Sequence, residues 1–246
     1  RTGSAALRDM VLGTLRAMAL GGIRDHIGGG FHRYSVDADW RVPHFEKMLY
    51  DQAQLVLAYL EAGQVSGGAF FINVAMDTLR YVMREMTDSQ GGFYSAEDAD
   101  SIPPEQAGQP GAHPMEGAFY LWRAEEIGRL CGDDAELVRR VYGVEAAGNA
   151  PADPHHEFVG KNILFLPQSL EDLSAKHPGD GVRSKLERAR MTLFAARFER
   201  PRPLLDDKVL TSWNGLMIAA FARMARVLSG ADAYGAGAAT PYLQAA

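Results

Sequence analysis

The stretch GGGFHRYSVDADWRVPHFEKMLYDQ, residues 28–52, joins a glycine-rich turn, aromatic rings and acids to an apolar-periodic helix. Part of it recurs, because Glu46-Lys47-Met48-Leu49 matches Asp207-Lys208-Val209-Leu210 at one fixed offset from it. A second echo links Gly29-Gly30-Phe31 to Gly91-Gly92-Phe93. Glycine closes helices in the left-handed conformation because it lacks a Cβ atom. The repeated order of helix, glycine turn, hairpin and helix predicts stacked helical hairpins that present polar helix starts to one place.

Helical periodicity dominates the rest of the chain, since apolar residues recur at spacings of three and four. Segments with the sequence pattern of a β-strand are short, and two proline- and glycine-rich loops interrupt the helices. The fold class predicted is all-α, with short β-hairpins in the connecting loops. Helices are expected at about 4–20, 45–62, 71–86, 123–131, 134–142, 181–199 and 208–229, strands at 31–34, 93–96, 118–122 and 163–165, and loops at 101–117 and 146–160.

Composition excludes several classes of function. The chain has 246 residues, 47% of them hydrophobic, which is enough for one large domain with a core. With 25 basic against 31 acidic residues and no basic block, neither nucleic-acid nor membrane binding is expected. No apolar run approaches the ~20 residues of a membrane span. The single cysteine, Cys131, excludes an internal disulfide and fits a reducing compartment, so a cytoplasmic location is expected.

Four motifs carry a resemblance to a known family: GGGFHRYSVDADWRVPHFEKMLYDQAQL, GGFYSAEDADS, FYLW and RPLLDDKVLTSWNGLMI. They resemble the thioredoxin-domain-containing proteins related to the spermatogenesis-associated family, through most of residues 20–225. The resemblance implies an (α/α)6 toroid of the six-hairpin glycosidase superfamily, whose inner helices start at one rim around a central pocket. It also implies a thioredoxin-like domain as a partner, which this chain lacks together with any C-x-x-C motif. We expect residues 1–246 to form one partial toroid, since they hold fewer hairpins than a closed one.

Three residues are predicted to be catalytic. Glu46 and Asp207 begin the two matching segments, where a carboxylate can act as a general acid or base. His44 follows Pro43, and histidine can shuttle protons near neutral pH, the role that sugar epimerases of related toroids give it. The structural alternative is that the acids cap helix N-termini and that His44 is a cap or a packed core residue.

Further residues are predicted to bind substrate. Aromatic faces stack on sugar rings, and polar side chains near the helix starts can hold hydroxyl groups. Lys47 and Asp51 lie four residues apart on the predicted helix, so an ordinary ion pair is the alternative for them. The aromatic residues fit a packed core equally well. The predicted binding set is Trp40, Lys47, Tyr50, Asp51, Asp98, Lys208, Trp213 and Asn214.

Neither a metal nor a cofactor is predicted. The pair His155-His156 has no second cluster at metal-ligand spacing. The acids of residues 37–39 and 97–100 lack the dense oxygen spacing of a calcium loop. Asp37 and Asp100 are instead expected to hydrogen-bond their own turns.

Two functions remain open at this stage. The first is a carbohydrate-active domain, isomerase- or epimerase-like or glycosidase-like, with its pocket at the inner-helix starts; related toroids make the carbohydrate ligand an analogy. The second is a non-catalytic helical module that binds a partner or a sugar-like ligand beside a thioredoxin-like domain. Geometry separates them, since an enzyme needs two titratable groups that face one ligand.

Overall fold

The computed structural model describes residues 3–150, 158–176, 181–230 and 237–246. This part of the chain is mostly helical with short antiparallel strands, as predicted, whereas the toroid arrangement stays a prediction. The helices are α1 (Ala5–Leu20), α2 (Leu49–Ser66), α3 (Ala69–Glu85), α4 (Ala124–Cys131), α5 (Ala135–Val141), α6 (Leu170–Lys176), α7 (Val182–Phe198), α8 (Thr211–Ser229) and α9 (Thr240–Ala245). The strands are β1 (Tyr34–Ser35), β2 (Pro43–His44), β3 (Lys47–Met48), β4 (Ala96–Glu97), β5 (Asp100–Ser101), β6 (Met115–Glu116) and β7 (Leu205–Asp206).

A three-stranded antiparallel sheet brings the two matching segments together. Strand β4, which follows the second glycine turn, lies between β3 and β7. Ser95 reinforces this junction: its carbonyl accepts the N–H of Leu49, and its hydroxyl donates to the carbonyl of Lys208. The starts of α2 and α8 are therefore held against one strand. There are two further two-stranded hairpins: β1–β2 precedes β3 in the chain, and β5–β6 lies in the chain between β4 and β7.

The predicted starts of two helices are corrected. Helix α2 begins at Leu49 and not near Phe45, because residues 43–48 pair their backbone in β2 and β3. Helix α8 begins at Thr211 and not at residue 208, because the preceding residues pair in β7 and continue extended. Glu46 and Lys47 thus precede the helix, so the expected spacing of four to Tyr50 and Asp51 on a helix surface does not occur.

The strand predictions are confirmed only in part. Tyr34 and Ala96 belong to strands, while Phe31 and Phe93 form isolated bridges. Residues 118–120 turn instead, with the N–H groups of residues 120 and 121 donating to the carbonyl of Gly117, and Trp122 forms only an isolated bridge with Asn162. Residues 163–165 form no strand either, because the pairing there is a single bridge at the residue before them.

A side-chain amide clasps each glycine turn. Gln52 Oε1 accepts the N–H of Phe31 at 2.8 Å, and its Nε2 donates to the Phe31 carbonyl at 2.7 Å. Asn214 does the same for Phe93, at 2.7 and 3.0 Å. The sequence echo would instead pair Gln52 with Trp213. The sequence match aligns Leu49 with Leu210, but α2 begins at Leu49 and α8 begins at Thr211. The structural repeat is therefore shifted by one residue from the sequence repeat.

Three apolar clusters surround these junctions. The first packs α2 against α3 and α8, around Tyr59 and Phe221. The second joins α4, α5 and α7 around Trp122 and Leu193. The third, around Phe45, lies beneath the hairpins. The hairpins thus pack against this third apolar cluster, next to the start of α2.

Candidate functional site

A partly exposed polar cluster lies at the start of α2 and in the hairpins beside it. His44 Nδ1 is 2.7 Å from Glu116 Oε1, which also accepts the N–H of Phe45 at 3.1 Å. His44 Nε2 is 3.7 Å from Glu46 Oε2, and its ring stacks on Tyr34 with centroids 4.9 Å apart. A neutral His44 that donates from Nδ1 to Glu116 keeps the Nε2 lone pair available as a base.

Glu46 extends this cluster toward α2 and α8. Arg33 donates to Glu46 Oε2 at 2.8 Å and also hydrogen-bonds Tyr50. The Tyr50 ring meets Trp213 edge-on, with centroids 4.8 Å apart. The predicted convergence of the two helix starts is therefore seen for Tyr50 and Trp213, in a neighbourhood where rings and polar groups alternate.

Asp51, in the first turn of α2, is the group with the most perturbed titration here. Its Oδ2 is buried and has no hydrogen-bond partner among the described residues. Burial raises the pKa of Asp51 to about 6, and repulsion from Glu46 adds to this, while Arg33 acts in the opposite direction. A carboxyl group that titrates near neutral pH is suited to general acid or base catalysis. We call the whole group the α2-start cluster: Arg33, Tyr34, His44, Glu46, Tyr50, Asp51, Glu116 and Trp213.

Lys47 lies outside the α2-start cluster, in a buried ionic group beneath it. Its Nζ donates to Asp25 Oδ2 and to the Gly29 carbonyl, both at 2.9 Å, and only 1% of the residue is exposed. Arg197 binds the same carboxylate with two bonds of 2.9 Å. Burial raises the pKa of Asp25, but Arg197 and Lys47 outweigh it and hold that pKa well below 3.8. The anticipated Lys47–Asp51 ion pair is replaced by this group.

This interior group is a structural device and not a ligand pocket. The cavity beside Asp25, Lys47 and Arg197 has a volume of about 10 Å³, the space of roughly one water molecule. Tyr81 donates to Glu97 at its edge, and Arg202 donates to the same carboxylate at 3.0 Å. A sugar ring does not fit there, whereas the α2-start cluster faces solvent.

Four further predicted residues lie apart from the cluster. Asp207 is exposed, and Lys208 pairs with Asp206 at 3.0 Å. Asn214 is occupied by its clasp on Phe93. Trp40 stands at a hairpin tip with a φ of 59° and packs on the first apolar cluster.

Asp98 lies at the edge of the α2-start cluster. Its Oδ1 accepts the N–H of Asp100 at 3.2 Å, and Asp100 pairs with Glu116 across β5 and β6. Asp100 was expected to hydrogen-bond its own turn. That expectation is wrong, because the carboxylate that accepts a backbone N–H in this turn belongs to Asp98. The same expectation is confirmed for Asp37, whose carboxylate accepts the N–H groups of residues 39, 41 and 42.

The predicted site residues omit three members of the cluster, Arg33, Tyr34 and Glu116. Glu116 lies in the predicted loop 101–117, far along the chain from His44, so no spacing could connect them. Arg33 and Tyr34 are both exposed and follow two buried residues, Phe31 and His32, so no alternating pattern could have drawn attention to Arg33. His155 and His156 lie outside the described residues.

Two features were searched for in the part of the chain that the structure describes: a cluster of metal-ligating side chains and a membrane-spanning helix. No three His, Cys, Asp or Glu side chains converge there in a way that could hold a metal ion. None of the helices in the described ranges is long and apolar enough to cross a membrane.

Comparison with known proteins finds relatives over most of the chain. Spermatogenesis-associated protein 20 of human is 48% identical over 235 residues, which cover 90% of this chain and 29% of the human protein. The rat and mouse proteins of that name are 46% and 45% identical, over 90% and 87% of this chain. No protein-family model matches the chain. The chain thus spans less than a third of the length of these relatives. It is similar to spermatogenesis-associated protein 20 over that part of its length.

Proposed function

We propose that the α2-start cluster is one wall of a carbohydrate-processing site that transfers protons, as a sugar isomerase or epimerase does. The observation that carries this is Asp51, a half-buried carboxyl group with a pKa of about 6 and an unpartnered oxygen. It lies next to Glu46 and Arg33, which connect it to His44. A histidine and a near-neutral carboxyl group form an acid–base pair suited to proton abstraction and return.

The roles follow from the contacts. His44 Nε2 is the proposed base, and Glu116 holds the imidazole through Nδ1. Asp51 is the proposed acid, and Arg33 and Tyr50 offer hydrogen-bond donors to hydroxyl groups. Trp213, edge-on to Tyr50, is the proposed platform for a sugar ring.

The wider architecture belongs to the same proposal. An (α/α) toroid would supply the other walls from its remaining inner helices, and a thioredoxin-like domain would accompany it. A glycosidase-like reaction, with Glu46 and Asp51 as the two carboxylates, is the alternative chemistry for the same cluster. A cytoplasmic location is a further part of the proposal.

A non-catalytic binding module is the second candidate, and one observation favours it. Lys47 and Asn214, both members of the echoed segments, are used inside the protein to hold other elements together. Asp207, a predicted catalytic partner of Glu46, is exposed and forms no part of the α2-start cluster. A module of this kind would bind a ligand without proton transfer.

Isotope exchange in D₂O separates the two candidates. We expect the protein to bind a member of a panel of mono- and disaccharides in calorimetry and to introduce deuterium next to its carbonyl or anomeric carbon. His44→Gln and Asp51→Asn should each slow that exchange by about 10²-fold or more, with the exposed-pair variant Asp9→Asn as control. Saccharide binding with neither deuterium incorporation nor hydrolysis would favour the module, and the absence of any saccharide binding would contradict both carbohydrate roles.

A further inference from the structure

A second cavity, separate from the α2-start cluster, lies among α3, α6, α7 and the turn that follows α1. Its volume is about 440 Å³, within the range of small-molecule sites. The walls combine apolar side chains, such as Phe70 and Leu186, with several charged ones. A space of this size and mixed lining can enclose a small organic molecule.

The charges of this cavity are predominantly positive. The arginines Arg24, Arg80, Arg183 and Arg190 line it, against the two acids Asp77 and Glu187. Among the described residues that line it, this leaves an excess of two positive charges, in a protein whose net charge is -6. His26 adds none, because burial and the nearby Arg24 lower its pKa to about 4.

Asp77 fixes two of these arginines at the cavity wall. Arg24 donates to its Oδ2 at 2.8 Å, and Arg190 donates to its Oδ1 at 2.7 Å. Burial raises the pKa of Asp77, but Arg24 and Arg190 outweigh it and lower that pKa to about 2. Asp77 therefore stays ionised at neutral pH and neutralises only one of the two guanidinium groups.

Donor capacity remains at the wall. Arg80 and Arg183 are exposed at the mouth. Guanidinium groups arranged around a cavity bind tetrahedral oxyanions through paired, charge-assisted hydrogen bonds.

We propose that this cavity binds a phosphate monoester, with its phosphate held by the arginines and its organic part against the apolar wall. The excess of two charges favours this ligand over a carboxylate, because a phosphate monoester carries about -1.5 to -2 at pH 7 and a carboxylate carries one charge. The proposal is independent of the chemistry at α2.

Calorimetry with three probes tests it: inorganic phosphate, glycerol 3-phosphate and uncharged glycerol. We expect glycerol 3-phosphate to bind more tightly as salt is lowered and glycerol not to bind. Binding of inorganic phosphate as well would show that the arginines alone suffice, and binding of the ester alone would show that the cavity also contacts the organic part; both agree with the proposal.

Variants at the mouth locate the binding. Arg80→Gln and Arg183→Gln should each weaken binding of glycerol 3-phosphate by about tenfold. Both side chains are exposed, so these variants should fold, and circular dichroism checks this. Arg188→Gln is the control, since Arg188 lies on α7 but pairs with Asp134 away from the cavity. No phosphate-dependent binding, equal binding of glycerol, or an equal effect of Arg188→Gln would overturn the proposal.

Discussion

Replacing Asp25 by asparagine is expected to lower the free energy of unfolding by about 3–5 kcal/mol. Asp25 is the carboxylate that neutralises Lys47 and Arg197 in the interior, and all three side chains are nearly inaccessible. Its removal leaves two buried cations without their counter-charge. Urea unfolding followed by circular dichroism measures the loss.

Two further variants serve as controls for this prediction. Asp9→Asn removes an exposed acid paired with Arg8 and should change stability by less than about 0.5 kcal/mol. Adding Lys47→Met to Asp25→Asn removes one stranded charge and should recover part of the loss. A loss for Asp25→Asn no larger than that for Asp9→Asn would contradict the structural role of the buried group.

The low pKa of Asp25 also predicts how the free energy of unfolding depends on pH in the acid range. Because the pKa of Asp25 in the folded protein lies well below 3.8, its contribution is complete above pH 3.8 and is lost as the pH falls toward the folded-state value. The difference in stability between the wild-type protein and Asp25→Asn should therefore shrink on acidification below pH 3.8.

Replacing Gln52 by leucine is expected to cost about 2–4 kcal/mol, since it leaves the buried N–H and carbonyl of Phe31 unpaired. Asn214→Leu should have an effect of the same order through Phe93. Gln54→Leu, on the exposed face of α2, is the matched control and should lie within about 0.5 kcal/mol of the wild-type protein. Equal stabilities of the Gln52 and Gln54 variants would show that the clasp does not hold the turn.

The helices were predictable because their apolar spacing is local. The first, expected at about 4–20, is Ala5–Leu20, and the one expected at 181–199 is Val182–Phe198. Their apolar positions and flanking glycines lie within the segment itself, so a single sequence contains the information.

The starts of α2 and α8 were mispredicted because the deciding partner is distant in sequence. Lys47 pairs in β3 with Glu97, and Asp206 pairs in β7 with Ala96. A helix-compatible polar start thus becomes extended through contacts with a strand that no local pattern identifies. The same cause hides Asp25, whose pairing with Lys47 and Arg197 depends on the tertiary fold.

The sequence predicted part of the membership of the α2-start cluster, whose role as a site stays a prediction. His44, Glu46, Tyr50, Asp51 and Trp213 do lie together at the start of α2. The sequence match suggested that Asp207 and Lys208 are equivalent to Glu46 and Lys47. The structural repeat is shifted by one residue from that match, and the side chains of Asp207 and Lys208 are exposed. Glu116 contacts His44 from β6, and this contact depends on the packing of the two hairpins.

The central claim is that Asp51 is a proton-active group of the α2-start cluster at neutral pH. Carbon-13 NMR titration of its carboxyl group tests this directly, with a predicted midpoint near pH 6. Because its pKa is raised above 3.8, the stability linked to Asp51 should fall as the pH rises from 3.8 toward 6. Glu46→Gln should lower the midpoint and Arg33→Gln should raise it. A midpoint near 3.8, or one that neither variant moves, would contradict the account.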